Sequence, residues 1–286
     1  MLSPFMIHRP ETVAQASAML KQYGPEAALY AGGTELLVLM KERLAHFLHL
    51  IDIKLIPGLA GITIDDAGGS ISIGPLASHR SIETSSLVRT HAPLLAALES
   101  QVANVRVRHA GTIGGNLCFA EPHSDPATLL VAWDAVFTLT SEYQSRSAPA
   151  NGFFTGLLET NRNDDELLTD ITIPLLPANA GSAYERFKTH ERPSATVAAV
   201  LWISDGEIIS ARLVAGSVGN LPERLTAAEE HLAGNRPSLD LFQTVGEMAS
   251  RQVLIEEEGF ESSDYKRRLI GELTVKALPK AAGRAG

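Results

Sequence analysis

Cysteine is almost absent from the 286-residue sequence. The one cysteine, Cys118, cannot form an internal disulfide bond and cannot supply the ligands of a zinc site or an iron–sulfur cluster. Long apolar runs are also missing, since the longest, at residues 195–203, is too short to cross a bilayer. No basic segment precedes an apolar stretch at the N-terminus. These absences predict a chain without a membrane span, in a reducing compartment such as the cytoplasm.

The chain has fewer basic than acidic residues. Lysine and arginine total 24 against 33 acidic residues, a net charge of −9, which disfavours nucleic acid or an anionic membrane as a partner. An anionic ligand must therefore be held by local groups. His46 and His49 are three residues apart, but on a strand they point to opposite faces, so no metal site is predicted.

The remaining composition is typical of a folded protein. Hydrophobic residues make up 45% of the chain and charged residues 20%, and the length predicts two or three compact modules. In the first part, residue spacing predicts helices at 11–23, 35–43, 94–102 and 127–133, and strands at 27–30, 135–140 and 167–173, with a hairpin turn at Gly68–Gly69. In the last third it predicts strands at 184–188, 196–203 and 208–214, a turn at 204–206, and helices at 224–232, 239–253 and 264–277.

Two glycine-rich segments are candidate sites for binding an anionic ligand. Ala31-Gly32-Gly33-Thr34-Glu35 follows a predicted strand, and Gly111-Thr112-Ile113-Gly114-Gly115-Asn116 is predicted to form a second turn. Glycine has no Cβ, so the main chain can approach a ligand closely and consecutive amides can converge on phosphate oxygens. Neither segment has the spacing of a Rossmann turn or a P-loop. Considered alone, each glycine pair is more typical of a tight turn without a ligand.

The residues around both segments resemble a known family. YAGGTELLVLMKERL at 30–44 and VRHAGTIGGNLCFAEPHSDPATLLVAWDA at 107–135 are similar to the two FAD-binding signatures of the flavoprotein, or medium, subunit of molybdenum hydroxylases. This family includes aerobic carbon monoxide dehydrogenase and the flavin portion of xanthine dehydrogenase. DDELLTDITIP at 164–174 and SDYKRRLIGELTVKAL at 263–278 resemble further parts of the same subunit, so the resemblance covers nearly the whole chain.

The resemblance implies an α+β fold with two domains. Residues 1–176 would form a two-lobed FAD-binding domain of the para-cresol methylhydroxylase type, with a break between the lobes near residues 53–57. Residues 177–286 would form a smaller C-terminal α/β domain, a sheet backed by helices. FAD would lie between the lobes, with its pyrophosphate between the two glycine segments. The positions that match FAD-binding residues of the family are Ala31, Gly32, Gly33, Thr34, Glu35, Thr112, Gly114, Gly115, Asn116, Asp125, Leu168 and Lys188.

Three positions depart from the family pattern. Glu35 stands where Asp or Asn is usual, His109 where Asn is common, and Glu121 where Ser often precedes the proline. None of these changes removes a glycine.

Other polar residues near the second segment have simpler explanations. Arg106 and Arg108 are typical of solvated surface cations, and assistance to a nearby phosphate is the alternative. Cys118 lies among apolar residues, which favours a packed thiol over a reactive one.

The implied function is electron transfer by an FAD-binding subunit, with FAD carrying the chemistry and no catalytic side chain. The expected partners are a large subunit with the molybdenum cofactor and a small subunit with two 2Fe–2S clusters. The expected electron acceptor is NAD, a quinone or dioxygen. One alternative is a self-contained FAD-dependent oxidase or reductase of the same fold, whose flavin a substrate would reduce without partners. The other is a non-catalytic assembly subunit, which would carry no FAD.

Overall fold

The computed structural model describes residues 2–65, 67–189, 192–256 and 261–285. The strands β1 to β14 are, in order, Met6–His8, Ala27–Tyr30, His49–Asp52, Ile62–Ile64, Ser70–Ile73, Val136–Thr140, Ser145–Pro149, Phe154–Gly156, Glu159–Thr160, Leu167–Pro174, Ala180–Phe187, Ala195–Ser204, Glu207–Gly216 and Glu223–Arg224. The α-helices α1 to α11 are, in order, Val13–Tyr23, Leu36–Lys41, His79–Thr84, Ser86–His91, Pro93–Glu99, Val105–Ala110, Ile113–Phe119, Asp125–Ala132, Thr226–Leu232, Leu239–Gln252 and Ser263–Ala282.

The chain forms two compact units, each made of several segments. The first unit contains residues 1–119, 136–153 and 159–173, and the second contains residues 120–135, 154–158 and 174–286. Residues 120–135 group with the C-terminal residues because α8 packs on β12 and β13. The division into domains at residues 176 and 177, and the lobe break near residues 53–57, stay predictions.

In the first unit, a parallel three-stranded sheet has the order β1-β3-β2. Thr12 is the N-cap of α1, and its hydroxyl accepts a hydrogen bond from the Gln15 amide, as is usual at this position. The buried Ala16 and Leu20 of this helix belong to one core with Ile51 of β3. The predicted strand at 27–30 and the predicted helices at 11–23 and 35–43 are confirmed. Because β2 ends at Tyr30, the first glycine segment emerges at the carboxyl end of a strand.

A second sheet of the first unit has the order β4-β5-β10-β6-β7, and its pairs β4–β5, β10–β6 and β6–β7 are antiparallel. Its β4–β5 hairpin contains Gly68 with φ +70°, as predicted. The short helices α3 and α4 had no counterpart in the sequence prediction. Ser85 ends α3 and also caps α4 through its side chain.

The ion pair between buried Glu166 and partly exposed Arg146, in the first unit, predicts a pH dependence. Arg146 donates two hydrogen bonds to the Glu166 carboxylate, at 2.7 and 2.8 Å, and lowers the Glu166 pKa. A carboxyl group whose pKa is lowered by folding stabilises the fold above its unfolded pKa, about 4.3, and loses that contribution as the pH falls through its folded pKa. Urea titrations should show that the unfolding free energy of Glu166→Gln falls less than that of the wild type between pH 5 and pH 3. We expect the two decreases to differ by about 1 kcal/mol.

The exposed Arg251–Glu247 pair, with side chains 77% and 70% accessible, offers the control for this pH experiment. Glu247→Gln should retain the wild-type acid dependence. If the unfolding free energies of the wild type and Glu166→Gln fell equally with pH, Glu166 would not be the source of this acid dependence.

The second unit contains a four-stranded antiparallel sheet, β11-β12-β13-β14. Asp205 and Gly206, with φ of 51° and 77°, join β12 to β13 in the conformation that suits a two-residue hairpin, and the predicted turn is confirmed. Helix α11 packs on β11 and β12, and α10 packs on α11. This is the predicted sheet backed by helices, although α11 continues beyond the predicted end at residue 277 to Ala282.

Helices α10 and α11 approach closely through two glycines. A Cβ at Gly246 would lie 2.9 Å from the Gly271 carbonyl oxygen and 2.6 Å from Val275 Cγ2. We expect Gly246→Ala to lower the unfolding free energy by about 1–3 kcal/mol in urea denaturation, because overpacking outweighs the gain in helix propensity. Gln243→Ala, at an exposed position of the same helix, should change it by less than about 0.5 kcal/mol. A more stable Gly246→Ala protein would rule out this tight helix contact.

Candidate functional site

The first glycine segment forms a turn between β2 and α2. Gly33 has φ +71°, and Leu37 donates to the Gly33 carbonyl at 3.1 Å. Within the described ranges, the amides of Gly32, Gly33, Thr34 and Glu35 donate no hydrogen bond to protein oxygens. Successive unbonded amides at such a turn are suited to bind an anion. This turn therefore has the donors that were predicted.

The second glycine segment differs from the prediction. Gly111 and Thr112 separate α6 from α7, but Gly114 and Gly115 lie inside the first turn of α7. Their amides are already bonded, Gly114 N to the Pro75 carbonyl at 2.9 Å and Gly115 N to Thr112 Oγ1 at 3.1 Å. The expectation that the amides of both segments are open is wrong for Gly114 and Gly115. At Gly114 the glycine serves packing instead, since a Cβ would lie 2.4 Å from Pro75 Cβ.

The two glycine segments meet in the first unit. A Cβ at Gly32 would lie 2.2 Å from the Ala110 carbonyl oxygen and 2.8 Å from Gly111 Cα. A Cβ at Gly111 would lie 3.3 Å from Thr34 Oγ1. Only glycines allow this main-chain contact. The fold therefore brings together the two segments that the sequence predicts to bind one ligand.

A buried histidine–glutamate pair lies next to Gly111. His79 Nδ1 lies 2.6 Å from Glu99 Oε2, and the two side chains are 4% and 0% exposed. The His79 amide donates to the Gly111 carbonyl at 3.1 Å. Sequence reasoning missed this pair because α3 was not predicted. An available signal was Glu99 among Leu95, Ala96 and Leu98 on the buried face of α5.

Asp125 lies at the start of α8 in the second unit. Ser124 caps this helix by accepting from the Ala127 amide. The buried Asp125 carboxylate accepts hydrogen bonds from Tyr184 Oη and Arg186 Nη1, each at 2.6 Å. Burial first, and the nearby Asp125 charge second, raise the pKa of Tyr184 well above its usual value, so the phenol stays a neutral donor. Tyr184 and Arg186 had not been recognised from the sequence.

The other predicted residues are more scattered. Leu168 is buried in β10, where the pairing with β6 shifts register between Leu168 and Asp170. Lys188 is exposed directly after β11. They belong to different units.

Arg106 is exposed. The Arg108 guanidinium binds within the chain, to Glu83 Oε2 and to the Val102 and Ala103 carbonyls.

The single cysteine has an unreactive setting. Burial raises the pKa of the Cys118 thiol to about 11, against a smaller opposing effect of Arg162. A thiol with a raised pKa is rarely a nucleophile at neutral pH, so this setting supports the packed role favoured by the sequence.

A turn with open amides, packed against a second glycine segment, is suited to bind an anionic group such as the diphosphate of a dinucleotide. The family described as "FAD binding domain in molybdopterin dehydrogenase" matches residues 3–176, and the family "CO dehydrogenase flavoprotein C-terminal domain" matches residues 182–281. The chain belongs to the FAD-binding medium subunits of molybdenum hydroxylases. FAD is its cofactor, and it is an FAD-dependent oxidoreductase subunit.

Similar proteins cover the whole chain. The carbon monoxide dehydrogenase medium chain of Hydrogenophaga pseudoflava is 32% identical over 282 residues, 98% of each chain. The xanthine dehydrogenase FAD-binding subunit of Escherichia coli O157:H7 is 29% identical over 284 residues, 98% of this chain and 96% of that one. A solved structure of carbon monoxide dehydrogenase from H. pseudoflava superposes with a TM-score of 0.96 at 33% identity, over 100% of both chains.

These similarities confirm the predicted family and the mixed α+β fold of an FAD-binding domain followed by a C-terminal domain. In the part of the chain that the structure describes, no helix is both long and apolar enough to cross a membrane.

Proposed function

We propose that this chain is the electron-transfer subunit of a multisubunit molybdenum hydroxylase. Its partners would be a large subunit that holds the molybdenum cofactor and oxidises the substrate, and a small subunit with two 2Fe–2S clusters. When bound, FAD supplies both one-electron and two-electron transfer, which links such clusters to NAD, a quinone or dioxygen. The single cysteine requires that the clusters belong to another chain. A reducing cytoplasmic location suits this role.

The open amides of the first turn are the observation that supports this proposal best. Residues 31–35 would bind the FAD pyrophosphate, because the amides of Gly32, Gly33, Thr34 and Glu35 are available and amide dipoles attract phosphate without a net positive charge. These amides would let a chain of net charge −9 bind the doubly negative pyrophosphate.

The second segment would complete the pyrophosphate site in a different way. Thr112 and Asn116 would contribute polar side chains. Gly114 and Gly115 would let α7 pack closely, as Gly114 does against Pro75.

Three further residues would contact the cofactor outside the glycine segments. Asp125 would accept a hydrogen bond through lone pairs that Tyr184 and Arg186 leave available, since each carboxylate oxygen has two. Leu168 would provide an apolar contact, and Lys188 a positive charge near the flavin.

Absorption spectroscopy and a partner capture test this function. The purified chain should show a flavin spectrum, and affinity capture of the tagged chain from its native host should recover a molybdenum subunit and an iron–sulfur subunit. The flavin should then be reduced by substrate only when both partners are present. Reduction by an organic substrate without partners would instead indicate a self-contained oxidase or reductase. A folded chain that never binds FAD would indicate an assembly subunit.

A further inference from the structure

The buried pair His79–Glu99 has no role in the function described so far. Glu99 is fully buried, and its Oε2 lies 2.6 Å from His79 Nδ1. Its other oxygen, Oε1, has no hydrogen-bond partner among the described residues. The carboxylate is therefore held by a single side-chain contact. Removing a carboxyl group from water in this way is costly, so an apolar residue would suit the interior of α5 better if only packing mattered.

The histidine connects this carboxylate to the glycine segments. Its amide donates to the Gly111 carbonyl at 3.1 Å, and a Cβ at Gly111 would lie 3.2 Å from the ring atom Cδ2. Gly111 also contacts the first turn, because the same Cβ would lie 3.3 Å from Thr34 Oγ1. The imidazole ring and the first turn thus both approach Gly111 where a side chain would otherwise lie.

Glu99 fixes the orientation of the His79 ring. A hydrogen bond to Nδ1 fixes the side-chain rotamer and the orientation of an imidazole ring. Carboxylates orient functional histidines in the same way in other proteins. A ring rotated from this position would either press on Gly111 or leave a gap behind it. Because interiors are close-packed, either change would move Gly111, and the Thr34 and Gly32 contacts would move with it.

We infer that His79 and Glu99 are positioning residues for the FAD pyrophosphate: through Gly111, they set the position of the amides at residues 32–35. This inference rests on the proposed function. It assigns to the pair an effect on FAD affinity that is separate from its effect on stability.

The test compares Glu99→Leu with Glu99→Gln in the full chain after FAD removal. Leucine keeps the volume but loses the hydrogen bond to Nδ1, whereas glutamine keeps a hydrogen bond. At a temperature where circular dichroism shows every variant folded, fluorescence titration should give an FAD Kd raised about tenfold or more for Glu99→Leu and less than about threefold for Glu99→Gln. Hydrogen exchange of the FAD-free proteins should show faster exchange in peptides covering residues 30–36 and 105–112 for Glu99→Leu only.

Glu229→Leu provides the matched control. Glu229 is also a buried carboxylate, bonded to Arg224 and to the Leu213 amide in the second unit, so its loss should lower the unfolding temperature without changing the FAD Kd or the exchange of these two peptides. A wild-type Kd in folded Glu99→Leu, or unchanged exchange, overturns the inference while the proposed function stands. A wild-type chain that binds no FAD overturns both, and the titration of the wild type shows this first.

Discussion

Gly32→Ala is expected to weaken FAD binding by roughly 10²-fold or more. The new Cβ would lie 2.2 Å from the Ala110 carbonyl oxygen and 2.8 Å from Gly111 Cα, and both are main-chain atoms that no side-chain rotation can move. The two glycine segments must separate, and the open amides at residues 32–35 move away from the phosphates. The Kd measured by fluorescence titration of the FAD-free chain reports this loss.

A Gly→Ala change at a second glycine of the same unit is the control for Gly32→Ala. Gly61 has no atom within 4 Å of its Cβ position, and Gly61→Ala should keep the FAD Kd within about twofold of the wild type. If Gly32→Ala folds with a native circular dichroism spectrum and a wild-type Kd, the pyrophosphate does not bind at this turn.

Arg186→Met is expected to lower the unfolding free energy by about 3–5 kcal/mol, since it removes one partner from a buried ion pair. The Asp125 and Arg186 side chains are 8% and 17% exposed, with Oδ2 and Nη1 2.6 Å apart. In Arg186→Met, the Asp125 carboxylate would still accept the hydrogen bond from Tyr184, but its negative charge would have no cationic partner at the former position of Arg186. For a chain of this size, the unfolding temperature should fall by roughly 6–20 °C, which differential scanning calorimetry measures.

Removing the remaining charge should reverse part of this loss. Asp125→Asn in the Arg186→Met background should regain stability, because a neutral amide is less costly to bury than an unpaired carboxylate. Arg251→Met breaks an exposed pair and should cost less than about 0.5 kcal/mol. If the Asn change gives no recovery, the ionised Asp125–Arg186 contact does not stabilise the second unit.

Regular elements could be predicted where local pattern and tertiary environment agree. The strand Ala27–Tyr30 has the expected bounds, and the turn at Asp205–Gly206 falls within the expected residues 204–206, because apolar runs and turn residues are local signals. Helices α3 and α4 have six residues each and bury one apolar residue each, Ile82 and Val88, too few for an apolar period to show. Gly114 and Gly115 predicted a turn because glycine is a poor helix former, yet they lie in α7. Close packing of Gly114 on Pro75 outweighs that local preference.

The sequence by itself determined the composition class, most of the elements, the FAD-binding family and the two segments that bear the glycines. Only the tertiary structure decided that the open amides belong to the first segment, that His79 and Glu99 lie next to Gly111, and that Tyr184 and Arg186 bind Asp125. The physical reason is that most of these features depend on contacts between residues far apart in the sequence, such as His79 and Glu99, 20 positions apart, and Asp125 and Arg186, 61 positions apart. Periodicity and motif spacing describe neighbours along the chain, whereas close packing and desolvation act between residues that meet only after folding.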